Sequence, residues 1–164
     1  MIETFLKEIK LEAATTRKML QRVPDDKFDW QPHPKSMSLK RLATHVAELP
    51  GWVPMTLNTS ELDFAVSGFE PKVVINNNAD LLAYFENNLE ECVKSLGSAI
   101  DAQLDEPWTL RNGSEIYSTS SKEDVIRMSI SQTIHHRAQL GVFLRLLDVP
   151  IPGSYGPSAD ETDF

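Results

Sequence analysis

The sequence has few of the features that mark membrane, secreted or disulfide-rich proteins. Cys92 is the single cysteine in a chain of 164 residues, so no internal disulfide is possible and a reducing compartment is favoured. No apolar run approaches the ~20 residues that a membrane-spanning helix requires. The first residues, Met1 to Glu8, carry acids in a helical pattern, in contrast to the basic start and apolar core of a signal peptide. These absences predict a cytoplasmic protein that does not enter a membrane.

Positive charge is also scarce. Lys and Arg total 16 against 24 Asp and Glu, which gives a formal net charge of -8 at pH 7. Such a surface repels nucleic-acid phosphates and anionic lipids, and no basic cluster offsets the repulsion. The motifs HExxH, GxSxG and CxxC and the Walker phosphate loop are absent. We therefore expect neither nucleic acid nor a membrane as a partner, and none of the common hydrolase, nucleotide or redox sites.

Helical periodicity is present in four segments. Hydrophobic residues make up 41% of the chain, enough for the core of one domain that spans residues 1–164. Apolar residues recur at helical spacing over about 2–23, 36–49, 79–100 and 122–147, and Ser36 or Ser38 is a suitable N-cap for the second segment. Four helices with one apolar stripe each predict an all-α fold, a four-helix bundle.

The connections between these segments are longer than the loops that usually join antiparallel neighbours, which favours crossovers over a simple up-down-up-down order. Residues 53–78 contain prolines, a glycine and an asparagine run, so we expect irregular chain there with room for one short helix. Asn112-Gly113 within 108–117 is a hairpin signal, although an isolated hairpin would be marginal. The tail after Asp148 is rich in proline and glycine and is expected to be non-helical.

Three polar side chains interrupt the apolar stripes. His45 lies between Leu42 and Leu49, whereas Gln132 and His136 lie one turn apart on the last segment. If all three point into the core, each costs about 1–3 kcal/mol without a partner. A divalent metal shared by them would supply that partner, and imidazole nitrogen suits zinc, nickel, iron or copper. Three protein ligands with open positions are typical of a catalytic metal site.

Other interpretations of these residues stay open. A histidine on an apolar stripe often hydrogen-bonds to a neighbour without binding metal, and the Gln132 amide oxygen is a weak ligand for borderline metals. His135 competes with His136, but it points about 100° away around the helix, so one metal is not expected to bind both. Cys92 lies on an apolar stripe and is interpreted as a core residue, not as a nucleophile. No residue is identified as a catalytic base.

Several short motifs together resemble those of a known family. They are Trp30-Gln31-Pro32 before Ser38-Leu39, Leu42-Ala43-Thr44-His45 in the second helix, and His135-His136-Arg137-Ala138-Gln139-Leu140 in the last. In this order and spacing they resemble the DinB/YfiT-like superfamily, the DNA-damage-inducible DinB-type metalloenzymes, over nearly the whole chain. The resemblance implies a four-helix bundle with up-up-down-down connectivity, often dimeric, in which one histidine of the second helix and two of the last hold a metal.

The resemblance places the three metal ligands at His45, Gln132 and His136. The middle ligand is glutamine where the family usually has histidine, and Ala138 replaces a usual glycine. Characterised relatives are thiol-dependent transferases and isomerases that use bacillithiol or mycothiol. The DNA-damage name refers to induction and does not imply DNA binding.

These observations and the resemblance lead to three hypotheses. The first is a metal-dependent enzyme, with zinc or nickel as the ion, that acts as a low-molecular-weight-thiol S-transferase on small electrophiles. The second is a non-catalytic module that binds a metal or a small ligand through a site degraded by Gln132. The third is a scaffold whose dimer interface matters more than its pocket. The expected partners are a small-molecule substrate and a second copy of the chain, as a homodimer.

Overall fold

All four segments with helical periodicity form helices, whose ends differ from the predicted ones by up to three residues. The computed structural model describes residues 1–69 and 73–162. Its helices are α1 (Ile2–Leu20), α2 (Leu39–Glu48), α3 (Trp52–Asn58), α4 (Phe64–Ser67), α5 (Asn78–Ser98) and α6 (Lys122–Leu146). Its strands are β1 (Glu61–Asp63), β2 (Pro107–Asn112) and β3 (Glu115–Ser121), and short 3-10 turns occupy Asp25–Lys27, Leu49–Gly51 and Asp101–Asp105.

Short polar side chains begin the helices that matter most for the site. Of the two candidate caps of α2, Ser38 and not Ser36 is the N-cap, because its hydroxyl accepts a backbone N–H from the first turn. Asn77 caps α5 and Ser121 caps α6 in the same way. The first helix ends shortly before Pro24, as the missing N–H of proline requires.

The core lies where α1 and α2 each pack against both α5 and α6. Buried side chains form two apolar clusters, and the half-buried Leu89 packs against both of them. Each large side chain that is fully buried contributes about 1.5–3 kcal/mol. The largest of these side chains on α2, α5 and α6 are Leu39, Leu42, Leu81, Phe85, Leu96, Ile126, Leu140 and Leu144. This packing fixes the relative rotation of α2 and α6, the two helices that carry the candidate ligands.

A small three-stranded sheet accompanies the helices, so the predicted all-α four-helix bundle with a small hairpin is confirmed only in part. The hairpin expected over 108–117 forms as β2 and β3, and Gly113 adopts a φ of 60° in its turn, which glycine does without strain. Strand β1 was not predicted, and it pairs in parallel with β2 in the order β1-β2-β3. Three residues are too few for an alternation signal. The fold is therefore mostly helical with a small sheet, and the up-up-down-down order stays a prediction.

Residues 53–78 hold more regular structure than the irregular chain expected there, since they contain most of α3 together with β1 and α4. Residues 70–72 of that stretch lie outside the described residues. The tail forms no helix over 148–162, as its prolines and glycines predict. Within the described ranges, none of the helices has both the length and the apolar character needed to cross a lipid bilayer.

Candidate metal site

The imidazoles of His45 and His136 meet at the interface between α2 and α6. Their ring centroids lie 4.6 Å apart with an interplanar angle of 73°, an edge-to-face arrangement. The ring of His135 is also adjacent to that of His136, with centroids 4.8 Å apart. The structure therefore brings together the two histidines that the sequence singled out on separate helices.

Each of the two rings is oriented by a side chain three residues further along its own helix. The Nδ1 of His45 lies 2.5 Å from Glu48 Oε1, and the Nδ1 of His136 lies 2.8 Å from Gln139 Oε1. Because an ionised carboxylate and an amide oxygen only accept, both Nδ1 atoms donate. In a neutral imidazole this assignment leaves the lone pair on Nε2, which is the arrangement seen when histidines ligate metals.

Gln132 shares an open groove with His136. The groove has a volume of about 420 Å³ and is lined by Met128, Ser131, Gln132, His135 and His136. His45 is not among these lining side chains, although its ring touches that of His136. His136 thus contacts the ring of His45 on one side and lines the same groove as Gln132 on the other.

The expectation that all three polar groups point into the core is wrong, because His45, Gln132 and His136 are only half-buried. The buried face of α6 includes Thr133 and Arg137, which follow Gln132 and His136 by one position each. One position is about 100° of rotation around the helix axis, so the buried face is turned by that angle from the predicted one. The polar groups therefore lie at the edge of that face, where solvent reaches them. Their burial alone does not require a metal, and the argument for one depends on the pairing of the imidazoles.

The donor set fits a divalent ion in part. Within residues 1–69 and 73–162, no group of three His, Cys, Asp or Glu side chains is placed to hold a metal. Two imidazoles are present, and Gln132, which lines the same groove as His136, offers an amide oxygen as a third donor. Burial lowers the pKa of His136, which favours the neutral imidazole that coordination requires. Two imidazoles and an amide suit zinc or nickel, with positions left for water or substrate.

The same site includes Glu48, Arg41 and Tyr84, none of which was predicted from the sequence. Arg41 NH1 lies 3.6 Å from the Glu48 oxygen that accepts from His45. On the facing α5, burial raises the pKa of Tyr84, and the negative charge of Glu48 adds to that rise. Spacing is the sequence signal that could have identified Arg41 and Glu48, because they lie one helical turn before and one turn after His45.

Arg137, the neighbour of His136, has a different surrounding. Its side chain is 3% exposed and lies 2.7 Å from Glu12 Oε2, and it donates to Thr16 Oγ1 and to the hydroxyl of Tyr155. That hydroxyl in turn donates to Glu12 at 2.7 Å. Arg137 thus ties α6 to α1 and to the tail, and its role is to hold α6 in place and not to bind at the groove.

The fold and the site define a class of mostly helical protein in which the second helix and the last long helix contribute a pair of histidines. The sequence profile of the DinB family matches residues 1–163, and the chain belongs to that family. This match confirms the resemblance that the short motifs indicated.

Similar proteins agree with that assignment. The chain is 22% identical over 160 residues to the uncharacterized protein YrdA of Bacillus subtilis strain 168, covering 98% of this chain and 91% of that protein. The fold is similar to the crystal structure of the DinB-like protein YjoA of Bacillus subtilis, with a TM-score of 0.71, 16% identity and coverage of 92% of this chain and 97% of the other. A DinB-like protein from Bacillus cereus ATCC 10987 gives a TM-score of 0.70, 19% identity and coverage of 92% and 95%.

Proposed function

We propose that this protein is a metal-dependent enzyme that transfers a low-molecular-weight thiol to a small electrophile, with zinc or nickel as the ion. The observation that supports the proposal most is the pairing of His45 with His136, each with Nδ1 engaged by a side-chain oxygen. Their Nε2 atoms would hold the ion, together with Gln132. A divalent ion held there would lower the pKa of a thiol or water, so that its anion is populated near neutral pH.

The chain's own residues prepare this site. Glu48 holds the His45 ring in the tautomer that carries the proton on Nδ1, and Gln139 does the same for His136. The lowered pKa of His136, caused chiefly by burial, keeps that imidazole neutral at neutral pH. The two helices thus present two nitrogen donors whose rings are oriented by side chains of their own helices.

The groove beside His136 gives the reactants a place to meet. Its volume of about 420 Å³ is within the range of small-molecule sites, and it is open to solvent. In the proposed transfer, the thiol loses its proton to solvent and its sulfur forms a bond to the electrophilic carbon. The leaving group departs from that carbon with the bonding electron pair. Ser131, Gln132 and His135 line the groove and would contact the electrophile.

Metal content tests the ligand assignment. Wild-type protein incubated with Zn²⁺ or Ni²⁺ and freed of excess metal is expected to retain close to one ion per chain by elemental analysis. His45→Ala and His136→Ala should each lose most of it. His33→Ala is the matched control, since His33 is exposed in the linker before α2 and should leave the metal content unchanged. Full metal retention in His136→Ala would reject the assignment.

Gln132 favours a second candidate function, a binding module that holds a metal or a small ligand without catalysis. An amide in place of a third imidazole is a weaker donor, so the ion is held less firmly. Turnover separates the two candidates. Metal-loaded protein is mixed with cysteine, bacillithiol or mycothiol and with 1-chloro-2,4-dinitrobenzene, and the thioether is followed by its absorbance. A metal-dependent rate that His136→Ala abolishes supports the transferase, whereas bound metal without turnover supports the binding module.

A cytoplasmic location and a homodimer also stay predictions. The oligomeric state is measured by light scattering on the purified protein, and a mass equal to one chain at micromolar concentration would exclude the dimer.

A further inference from the structure

Strand β3 is an outer strand of the small sheet. The order β1-β2-β3 leaves one long side of β3 without a neighbouring strand in the part of the chain that the structure describes. Residues 115–119 of this strand are exposed, so solvent reaches that side. An edge strand in such a position presents backbone N–H and C=O groups that another strand can bind.

The hydrogen bonds of the hairpin show that the backbone of Thr119 points to this edge. The N–H of Thr109 on β2 donates to Ser60 O on the β1 side, at 2.9 Å. Thr109 therefore turns its backbone away from Thr119, its partner on β3, and Thr119 turns its own backbone away from β2, as in every non-hydrogen-bonded antiparallel pair. Side chains of such pairs lie close, and the two threonine hydroxyls are 3.1 Å apart. The bond from Lys122 N–H to Glu106 O, three positions further on, fits the same alternation.

The β3 edge lacks most of the features that keep sheet edges from pairing. Its sequence is EIYSTSS, without Lys, Arg or Pro, and Glu115 at one end is its only charged residue. The irregular register near Leu110 lies toward the turn and leaves residues 118–121 in regular pairing. The opposite edge, β1, has three residues, of which Glu61 and Asp63 are acids. Since charge and short length oppose pairing, β3 is the edge that can accept a further strand.

Exposed apolar side chains lie beside this edge. Ile116 is 64% exposed and Tyr117 is 47% exposed. The ring of Tyr117 is 6.4 Å from that of Phe64, which stacks on the exposed Phe69 at 4.3 Å between centroids. Large apolar side chains that are exposed together indicate a contact surface. A strand bound along β3 would remove part of this surface from water.

We propose that β3 pairs antiparallel with β3 of a second copy of this chain, about a two-fold axis at Thr119. The N–H of each Thr119 donates to the C=O of the other, and the two small sheets become one continuous sheet. The inference gives the predicted homodimer an interface. It does not depend on the metal or the thiol of the proposed function.

The charges favour a second copy in this orientation. Because Glu115 lies four positions from Thr119, the two-fold axis places the two Glu115 carboxylates about 27 Å apart, at opposite ends of the pairing. Parallel pairing in register would place them side by side, which is unfavourable. In the antiparallel register, Ser118 faces Ser120 across the two chains, and paired hydroxyl side chains can hydrogen-bond. Two chains of net charge -8 repel each other, and salt screens that repulsion, so the dimer should tighten as ionic strength rises.

The dissociation constant of the dimer, measured by sedimentation equilibrium on the full chain, tests this interface. Thr119→Pro removes the outward N–H, and Thr119→Lys brings two ammonium groups together at the two-fold axis. Each substitution should raise the dissociation constant at least about 10-fold, while the metal content stays that of the wild type. Ser114→Lys is the matched control, because it adds the same charge at the exposed hairpin turn and should leave the dissociation constant unchanged. Circular dichroism and urea unfolding check that each variant is folded.

Hydrogen exchange examines the wild type without any substitution, so the test does not depend on the folding of Thr119→Pro. The Thr119 amide should exchange at least about 10-fold more slowly well above the dissociation constant than well below it, because only the monomer exposes that N–H. The Ser114 amide should exchange at the same rate in both conditions. A Thr119 amide with the same rate at every concentration would contradict the pairing.

An introduced thiol tests the register. Cys92 is the single cysteine and is buried, so Thr119→Cys carries one exposed thiol per chain. The Cα atoms of a hydrogen-bonded antiparallel pair lie about 5.5 Å apart, within the range of a disulfide. Oxidised glutathione should therefore convert Thr119→Cys, and not Ser114→Cys, to a covalent dimer. A wild type that stays monomeric up to about 100 µM, or a dimer that neither Thr119→Pro nor Thr119→Lys weakens, would overturn the inference.

Discussion

His45 and His136 lie edge to face, with ring centroids 4.6 Å apart, although the chain forms α3, α4, α5 and the small sheet between them. The contact exists because α2 packs against α6 in the core. Each ring donates through Nδ1 to a side chain of its own helix, Glu48 or Gln139. Two helices thus bring two oriented imidazoles into contact, and this relationship supports the proposed metal chemistry.

Replacement of Gln132 by histidine should strengthen metal binding. Gln132 lines the same groove as His136 one turn away, so an imidazole at that position can add a third nitrogen donor. We expect the dissociation constant for Zn²⁺, measured by competition with a chromophoric chelator, to fall by about 10-fold or more in Gln132→His. Gln139→His offers a comparison on the same helix, and it should weaken binding since Gln139 orients His136. Unchanged affinity in Gln132→His would argue against Gln132 as a ligand position.

Glu48 should affect metal binding through His45. In Glu48→Gln the side chain keeps its shape but loses the charge that stabilises the Nδ1–H tautomer. Loss of such a supporting carboxylate typically costs about 10–100-fold in metal affinity. Chelator competition for Zn²⁺ measures the change, and Glu48→Asp is expected to recover part of it. Glu90→Gln, at an exposed position of α5, is the control. Wild-type affinity in Glu48→Gln would show that the Glu48–His45 hydrogen bond does not support the metal.

Arg137→Met should destabilise the fold without a direct effect on the groove. The substitution leaves the Glu12 carboxylate, 13% exposed, without its ion-pair partner. Removal of one member of a buried pair costs about 3–5 kcal/mol, so urea unfolding should show a loss of that order. Arg127→Met, at an exposed position of the same helix, should cost less than about 1 kcal/mol. The double variant Glu12→Gln/Arg137→Met should be more stable than Arg137→Met, and a less stable double variant would contradict this explanation.

The ion pair between Arg17 and Glu86 predicts a pH-dependent contribution to stability. Arg17 Nε and NH2 donate to the two Glu86 oxygens at 2.5 and 2.8 Å and hold the pKa of that carboxyl below its ordinary value. Because the folded-state pKa is lowered, the contribution is present above the unfolded-state pKa and is lost as the pH falls through the folded-state value. Glu86→Gln should therefore cost about 0.5 kcal/mol at pH 7, given partial exposure, and progressively less in acidic solution as the carboxyl becomes protonated. A cost that is the same at pH 7 and in acidic solution, in urea unfolding, would contradict the ionic origin.

The parts of the fold that depend on local sequence were predictable. The helical periods, the Ser38 cap and the Asn112-Gly113 turn each depend on residues within a few positions of one another. The strand β1 was not predictable, because its partner β2 follows more than forty residues later and three residues carry no pattern of their own. The meeting of His45 and His136 followed from their places on two amphipathic helices. Their role as metal ligands stays a prediction.

The sequence by itself determined which side chains share a helix face, because the helical period depends on neighbouring residues alone. The tertiary structure decided how far each face turns toward the core. Packing of α6 against α1 and α2 buries Thr133 and Arg137 and leaves Gln132 and His136 at the edge. One residue of helix is about 100° of rotation, and only contacts between helices set that angle.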